Sequence, residues 1–182
     1  MTPGPNNLLL LASGVNYGFL RTLPHMAGVI FGYSFLLAVM GLGLGSVFAA
    51  SPGLYGALKI GGALYLVWLA WRVANAGPVS DARGVGQPMT FLQAAAFQWI
   101  NAKGVLLAIS AVAAFTRADS FAATLAGLVA IATLASVAST ATWTLFGSGL
   151  RKALSDPRAV RPFNLVMALL LVASLWPMLA QR

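Results

Sequence analysis

The chain has 182 residues, of which three are Asp or Glu, eleven are Lys or Arg and none is Cys. Charged residues make up 8% and hydrophobic residues 59%, with a mean hydropathy of +0.85, whereas a soluble domain is about 25% charged. So few charges cannot cover a water-facing surface, which excludes a soluble globular enzyme, and such hydrophobicity excludes disorder. The lack of cysteine excludes a disulfide scaffold, a thiol nucleophile and a Cys-ligated metal. The net charge of +8 does not point to nucleic acid. The basic residues stand singly or in short groups between apolar runs, as in a positive-inside membrane protein.

A bilayer core takes about 20 apolar residues per helix. Thr22 to Leu58, Ser120 to Leu150 and Pro162 to Gln181 hold no Asp, Glu, Lys or Arg. The pattern predicts helices at 25–49, 53–76, 91–115, 120–147 and 162–180. Before them stands a shorter apolar stretch, Asn6 to Phe19. As a helix it would reach about 21 Å, short of a core about 30 Å thick. It has neither the basic start nor the cleavage site of a signal peptide. It reads as a first helix lacking its N-terminal half, from a late-assigned start or a fragment.

Counting that stretch as the first of six helices sorts the charges by side. Arg21, Arg72, Arg83, Arg151, Lys152, Arg158 and Arg161 follow the first, third and fifth helices, and Arg117 and Arg182 lie opposite. This bias predicts an inner-membrane protein whose odd-numbered loops are cytoplasmic. The longest connection, 77–90, divides a single membrane domain (1–182) into halves 1–76 and 91–182. Three helices per half give the halves opposite orientation, the inverted-repeat plan of many secondary transporters. An offset of 97 places Gly4-Pro5-Asn6 on Asn101-Ala102-Lys103 and Ser13 on Ser110. The expected fold is therefore an all-α polytopic bundle, a 3+3 inverted repeat with its first and fourth helices broken.

Pro3-Gly4-Pro5-Asn6-Asn7 stops and restarts a helix, with Pro5 placed as the first residue of the new piece. Irregular backbone at membrane depth is tolerated only against protein or a wet cavity, and a helix restarted there points its positive end inward. Lys103 stands 12 residues from both Phe91 and Phe115. That depth is too great for snorkelling, so Lys103 is a functional candidate. Lys59 is nearer a helix end. Gly28 and Gly32 form a small-residue face that packs a helix closely and would permit a homodimer. Ser136, Ser139, Thr140, Thr142 and Thr144 either line a polar path or bond their own backbone. Trp68, Trp71 and Trp176 read as interface anchors. His25 is expected at the membrane edge beside Arg21, too isolated for a metal site and badly placed for a Ser/His dyad. Asp81, Asp119 and Asp156 fall in loops and there is no Glu, so paired intramembrane carboxylates, a metal centre and a carboxylate proton relay are not expected.

Thr2-Pro3-Gly4-Pro5-Asn6, followed by Ala12-Ser13-Gly14 and Gly18-Phe19, resembles the opening of the LysE/RhtB family of amino-acid exporters. Phe97-Gln98 with Asn101-Ala102-Lys103 resembles that family's Asn-Pro-Lys segment, and Leu58-Lys59 with Gly62-Ala63-Leu64-Tyr65-Leu66 resembles its third-helix pattern. Ala102 stands where the family usually has proline, which predicts a softer break. The resemblance implies export of small amino acids or related metabolites, driven by ion or proton exchange. The expected substrate site joins Pro3, Gly4, Pro5 and Asn6 to Gln98, Asn101, Ala102 and Lys103. A substrate carboxylate would lie by Lys103 and a restarted helix, and its ammonium by carbonyls freed at the prolines. Lys103, and after it Lys59, are the candidates for coupling. No metal, cofactor or catalytic group is expected. The competing reading is a passive channel or a membrane scaffold.

Overall fold

A computed structural model describes residues 4–76, 87–154 and 157–176. Among these residues there are helices and connections but no strand. In chain order they are α1 (Pro5–Tyr17), α2 (Phe19–Val39), a π-helical segment (Met40–Leu44), α3 (Gly45–Ala50), α4 (Pro52–Ala74), α5 (Phe91–Ile100), α6 (Ala102–Phe115), a single 3-10 turn (Ala118–Ser120), α7 (Phe121–Ala153) and α8 (Pro157–Ala173).

Three helical runs are long and apolar enough to cross a membrane: Phe19–Phe48, Gly56–Ala74 and Ala118–Arg151. The bent pair α5 and α6 makes a fourth if it is one broken span, and α8 is a shorter apolar helix. The predicted third helix matches α4. The predicted fourth, 91–115, keeps both ends as α5 and α6 with a break at Asn101, and the remaining ones shift for identifiable reasons. The second begins at Phe19, because Gly18, at φ 80°, turns the chain and α2 starts at once. Arg21 and Pro24, read as loop residues, are inside α2. Pro24 leaves only the Leu20 carbonyl without its helical donor, at a residue that is fully on the surface. The same helix does not run evenly to 49: Gly43, at φ 121°, interrupts it in the π segment. The predicted fifth helix continues to Ala153 and takes in Arg151, and the sixth starts at Pro157 with Pro162 inside it. At 33 residues, α7 is about 50 Å long, more than a bilayer core requires. Residues 177–180 of the predicted sixth helix and most of the 77–90 connection lie outside the described residues.

Contacts at named residues fix the packing directions. Asn7 meets Ser139, Gly14 meets Thr144 and Gly147, and Gly18 meets Arg151. Both numbers rise together, so α1 and α7 run parallel. Ser34 bonds Thr133 at 2.6 Å and Gly41, just past α2, lies on Leu125, so α2 runs antiparallel to α7. Gly28 lies on Phe91 and Ala94 and Gly32 on Ala95, so α2 runs parallel to α5. A Cβ at Gly32 would fall 2.6 Å from the Ala95 Cα. The small-residue face is therefore a packing seam within the chain, as its spacing predicted. Because α5 covers it, that face is not the dimer surface it was expected to permit.

Two apolar cores result. One gathers Leu8–Ala12 with Met26, Leu66, Leu69, Phe97 and Leu171; the other gathers Leu36, Leu37 and Met40 with Val105 and Ala108. Large apolar side chains outside the cores, such as Phe31, Phe35, Ile131, Leu134 and Trp176, are exposed on the periphery, the arrangement of a chain whose solvent there is lipid. The offset of 97 carries Pro5 onto Ala102, and these are the first residues of α1 and α6.

Candidate functional site

Gly4 caps α1 with extended backbone (φ −155°, ψ 173°), and Pro5, which has no N–H to lose, opens the helix. The Leu8 N–H donates to the Gly4 carbonyl at 3.0 Å. The partner break lies at Asn101, whose ψ of 87° leaves the helical region. Its N–H still closes α5 on the Phe97 carbonyl at 2.9 Å, while its carbonyl accepts from Val105 and opens α6 at 3.0 Å. The two helices bend by 69°. This corrects the expectation of a softer break without proline. Asparagine leaves the helical conformation readily because its side chain competes for nearby backbone groups, so Asn101 turns the chain without a following proline.

The start of α1 and the break at Asn101 come together. Asn6 and Gln98 form a reciprocal amide pair: Asn6 Nδ2 donates to Gln98 Oε1 at 2.8 Å, and Gln98 Nε2 donates back to Asn6 Oδ1 at 3.2 Å. Gln98 is fully buried and also donates to the Ala94 carbonyl at 2.8 Å. Lys103, the second residue of α6, reaches the start of α1, so close that a Cβ on Gly4 would lie 3.1 Å from its Nζ. Around them is a cavity of about 240 Å³, lined by Gly4, Pro5, Asn6, Asn101 and Lys103 from the two breaks and by Tyr33, Ser136 and Ser139 from α2 and α7. Pro5, Asn101, Lys103 and Leu107 also border a larger, mainly apolar cavity of about 720 Å³ along α6.

Of the expected site, then, Gly4, Pro5, Asn6, Asn101 and Lys103 line one cavity, and Gln98 stands behind Asn6 and holds it. Ala102 is buried at the break and is not part of the lining. Pro3 lies outside the described residues. Lys59 is on α4 and lines none of these cavities. The serine and threonine row on α7 divides: Ser136 and Ser139 face the cavity, Thr140 and Thr142 bond their own helix, and Thr144 is buried with its hydroxyl unpartnered.

Sequence reasoning misplaced His25. It is buried at 1% exposure, and its Nδ1 lies 3.2 Å from the buried Ser13 Oγ. The turn at Gly18 folds α2 back against α1, so that His25 is covered by the bundle and meets Ser13, a contact its place in the sequence did not suggest. Asn16 makes a second reciprocal amide pair, with Asn164 of α8, at 2.9 and 3.1 Å. Asn6, Ser13 and Asn16 are seven and three residues apart, a spacing that puts them on one face of α1. That periodic polar face was the available signal. His25, Ser13 and Asn16 border a separate cavity of about 270 Å³ at the end of the bundle where α1 and α4 finish.

A family model for LysE type translocators matches residues 1–174. The chain belongs to the LysE type translocator family. The cysteine/O-acetylserine efflux proteins of Escherichia coli strain K12, E. coli O9:H4 strain HS and Shigella sonnei strain Ss046 are each 33% identical to it over 178 residues, covering 94% of this chain and 87% of each relative. No solved structure matches. A translocator of this family is a multi-pass membrane transporter, which accounts for the apolar helices and for irregular backbone next to a cavity rather than lipid. In such a protein two helix N-termini and an ammonium beside one cavity make an anion-attracting centre. The first N–H groups of α1 and α6 have no helical acceptor, their dipoles present positive ends, and the Lys103 amine stands beside them.

Proposed function

We propose that this LysE-family chain exports small zwitterionic amino acids through the cavity between its two broken helices. The observation that carries the reading is the convergence of the α1 start, the α6 start and Lys103 on one space of about 240 Å³. That size lies just below the usual range of ligand cavities, about 300 to 1,000 Å³, and suits a single small metabolite. A substrate carboxylate binds Lys103 and the free N–H groups of the helix starts. Its ammonium binds the side-chain oxygens of Asn6, Asn101, Ser136 or Ser139 and carbonyls left over at the breaks. The names of the relatives make cysteine and O-acetylserine the first substrates to test.

The reading extends to the whole chain. The halves 1–76 and 91–182 act as inverted repeats that rock about the site, a view supported by α1 and α6 starting 97 residues apart. The protein resides in the inner membrane with the loops after the predicted first, third and fifth helices in the cytoplasm, as the Arg and Lys bias favours. Proton or ion counter-transport supplies the drive, with Lys103 as the coupling residue. Lys59, away from the cavity, is left as a helix-end lysine.

Counterflow in proteoliposomes tests the proposal. Labelled O-acetylserine should show saturable uptake that speeds up when unlabelled substrate is preloaded, and Lys103→Ala should lower exchange at least tenfold at equal protein. Flux that neither saturates nor responds to preloading would describe a passive pore instead. Wild-type exchange in Lys103→Ala would remove the centre of the site.

A further inference from the structure

The cavity at the far end of α1 has no part in the central site, and it has the make-up of a binding site. Its inner wall is polar and buried: Ser13 is 6% exposed, Asn16 3% and His25 1%. Its mouth carries Arg72, near the end of α4. The Arg72 guanidinium lies over the Trp68 ring, 5.2 Å from its centre, and donates from Nη2 to the Gln87 carbonyl at 3.2 Å. A guanidinium has five N–H donors in a planar fork, so these contacts orient the group while leaving it the donors that a carboxylate takes up in pairs.

The two cavities also share a face of α1. Asn6 borders the central one, and Leu9, Ser13 and Asn16 border the other. On α2, His25 belongs to one, and Val29 and Tyr33 to the other. Asn6 and Ser13 are seven residues apart, about 10 Å along the helix. The Asn6–Gln98 amide pair lies at the central-cavity end of that face, and Leu9 lines the other cavity.

We propose that this second cavity is a separate binding station for the substrate's carboxylate, read by Arg72, from which an amino acid passes along α1 to Lys103. The inference rests on the export reading above. An anionic lipid headgroup offers the same chemistry to Arg72, but it would have no use for a wall of buried Ser13, Asn16 and His25 that leads towards the central site. A small amino acid does. The route needs the Asn6–Gln98 pair to separate, and a reciprocal pair of neutral amides breaks more easily than a buried ion pair.

The test uses the full chain with O-acetylserine as probe. In sealed vesicles of each orientation, Arg72→Gln should raise the half-saturating concentration about tenfold on the face that carries Arg72. That is the loss expected for a charge-assisted hydrogen bond. On the opposite face the value should stay within twofold, and Arg72→Lys should fall between wild type and Arg72→Gln. Equilibrium binding separates the stations. Lys103→Ala, although impaired in exchange, should still bind O-acetylserine, and adding Arg72→Gln should weaken that binding about tenfold. If Lys103→Ala exchanges normally, it is the export site that fails. If exchange depends on Lys103 but Lys103→Ala binds nothing, or if Arg72→Gln acts equally on both faces or only on the maximal rate, the second station is disproved. An Arg72 effect that vanishes in vesicles without phosphatidylglycerol would assign the residue to lipid and overturn the proposal as well.

Discussion

Lys103 and Gly4 show how narrowly the central site is built. Hydrogen is the only substituent that Gly4 can carry without crowding the Lys103 ammonium, since a methyl there would lie 3.1 Å from Nζ. Gly4→Ala should therefore insert and fold normally, because its extended backbone suits any residue, yet it should raise the half-saturating concentration several-fold in counterflow. Lys103→Arg keeps the charge but spreads it over a larger planar group, so it should retain weak exchange where Lys103→Ala retains almost none. The sequence singled out Lys103 because a lysine that far from either end of the predicted helix cannot snorkel to the interface. It misjudged His25 for the converse reason. Whether a histidine is buried depends on where its helix begins, and with the second helix expected at 25 the segment from Arg21 to Pro24 read as a connection although α2 runs through it. Positive φ at Gly18 was not visible in a sequence already rich in glycine.

At the scale of the element, α1 is a short helix whose faces do different work. One packs on α7 through Gly14 and Gly147, where backbones touch, and another carries Asn6, Ser13 and Asn16 to partners on α5, α2 and α8. Interhelical hydrogen bonds in membranes contribute about 0.6 to 2 kcal/mol each. Breaking one partner of a buried pair costs about 1–3 kcal/mol, because the other is left unsatisfied. Asn6→Leu and Gln98→Leu should each lower the thermal midpoint in detergent, and the double variant should lose clearly less than the sum, since its two leucines leave no orphaned amide at the pair. The glycines give a parallel contrast. Gly32→Ala drives a methyl into the Ala95 backbone and should destabilise by about 1–3 kcal/mol. Gly127→Ala on α7, with nothing within 4 Å, should be neutral or gain up to about 1 kcal/mol from helix propensity. Spacing alone marked Gly28 and Gly32 as a packing face, but it could not say whether the partner was α5 or a second chain. That depends on which helices the connections allow to become neighbours, and the sequence pattern is silent on it. The bend at Asn101 was legible only as a possibility, since the expected proline is absent and an asparagine break is decided by the packing around it.

For the whole molecule, the main question is which side each cavity faces, and the composition supplies the means to answer it. Arg21, Arg72 and Arg151 collect at the end where α1, α4 and α7 meet. This grouping is what the charge bias anticipated, although Arg21 and Arg151 turned out to lie within helices. Since the chain has no cysteine, every single-cysteine variant is reported without background. Asn75→Cys, on the exposed rim beside the Arg72 cavity, should react with an impermeant thiol reagent only from the cytoplasmic face. Ser139→Cys, on the central cavity wall, should react from one face at a time, and saturating O-acetylserine should change the ratio of the two rates as the halves rock. Labelling of Asn75→Cys from outside would reverse the orientation while leaving the site intact. Labelling of Ser139→Cys at equal, substrate-independent rates from both faces would mean that the cavity is continuously open, and the inverted-repeat mechanism would have to give way to a pore. In the proposed alternation the Asn6–Gln98 pair, which ties α1 to α5, opens on one side while the other closes. Substrate dependence of Ser139→Cys labelling should therefore be lost in Gln98→Ala, where that tie is gone.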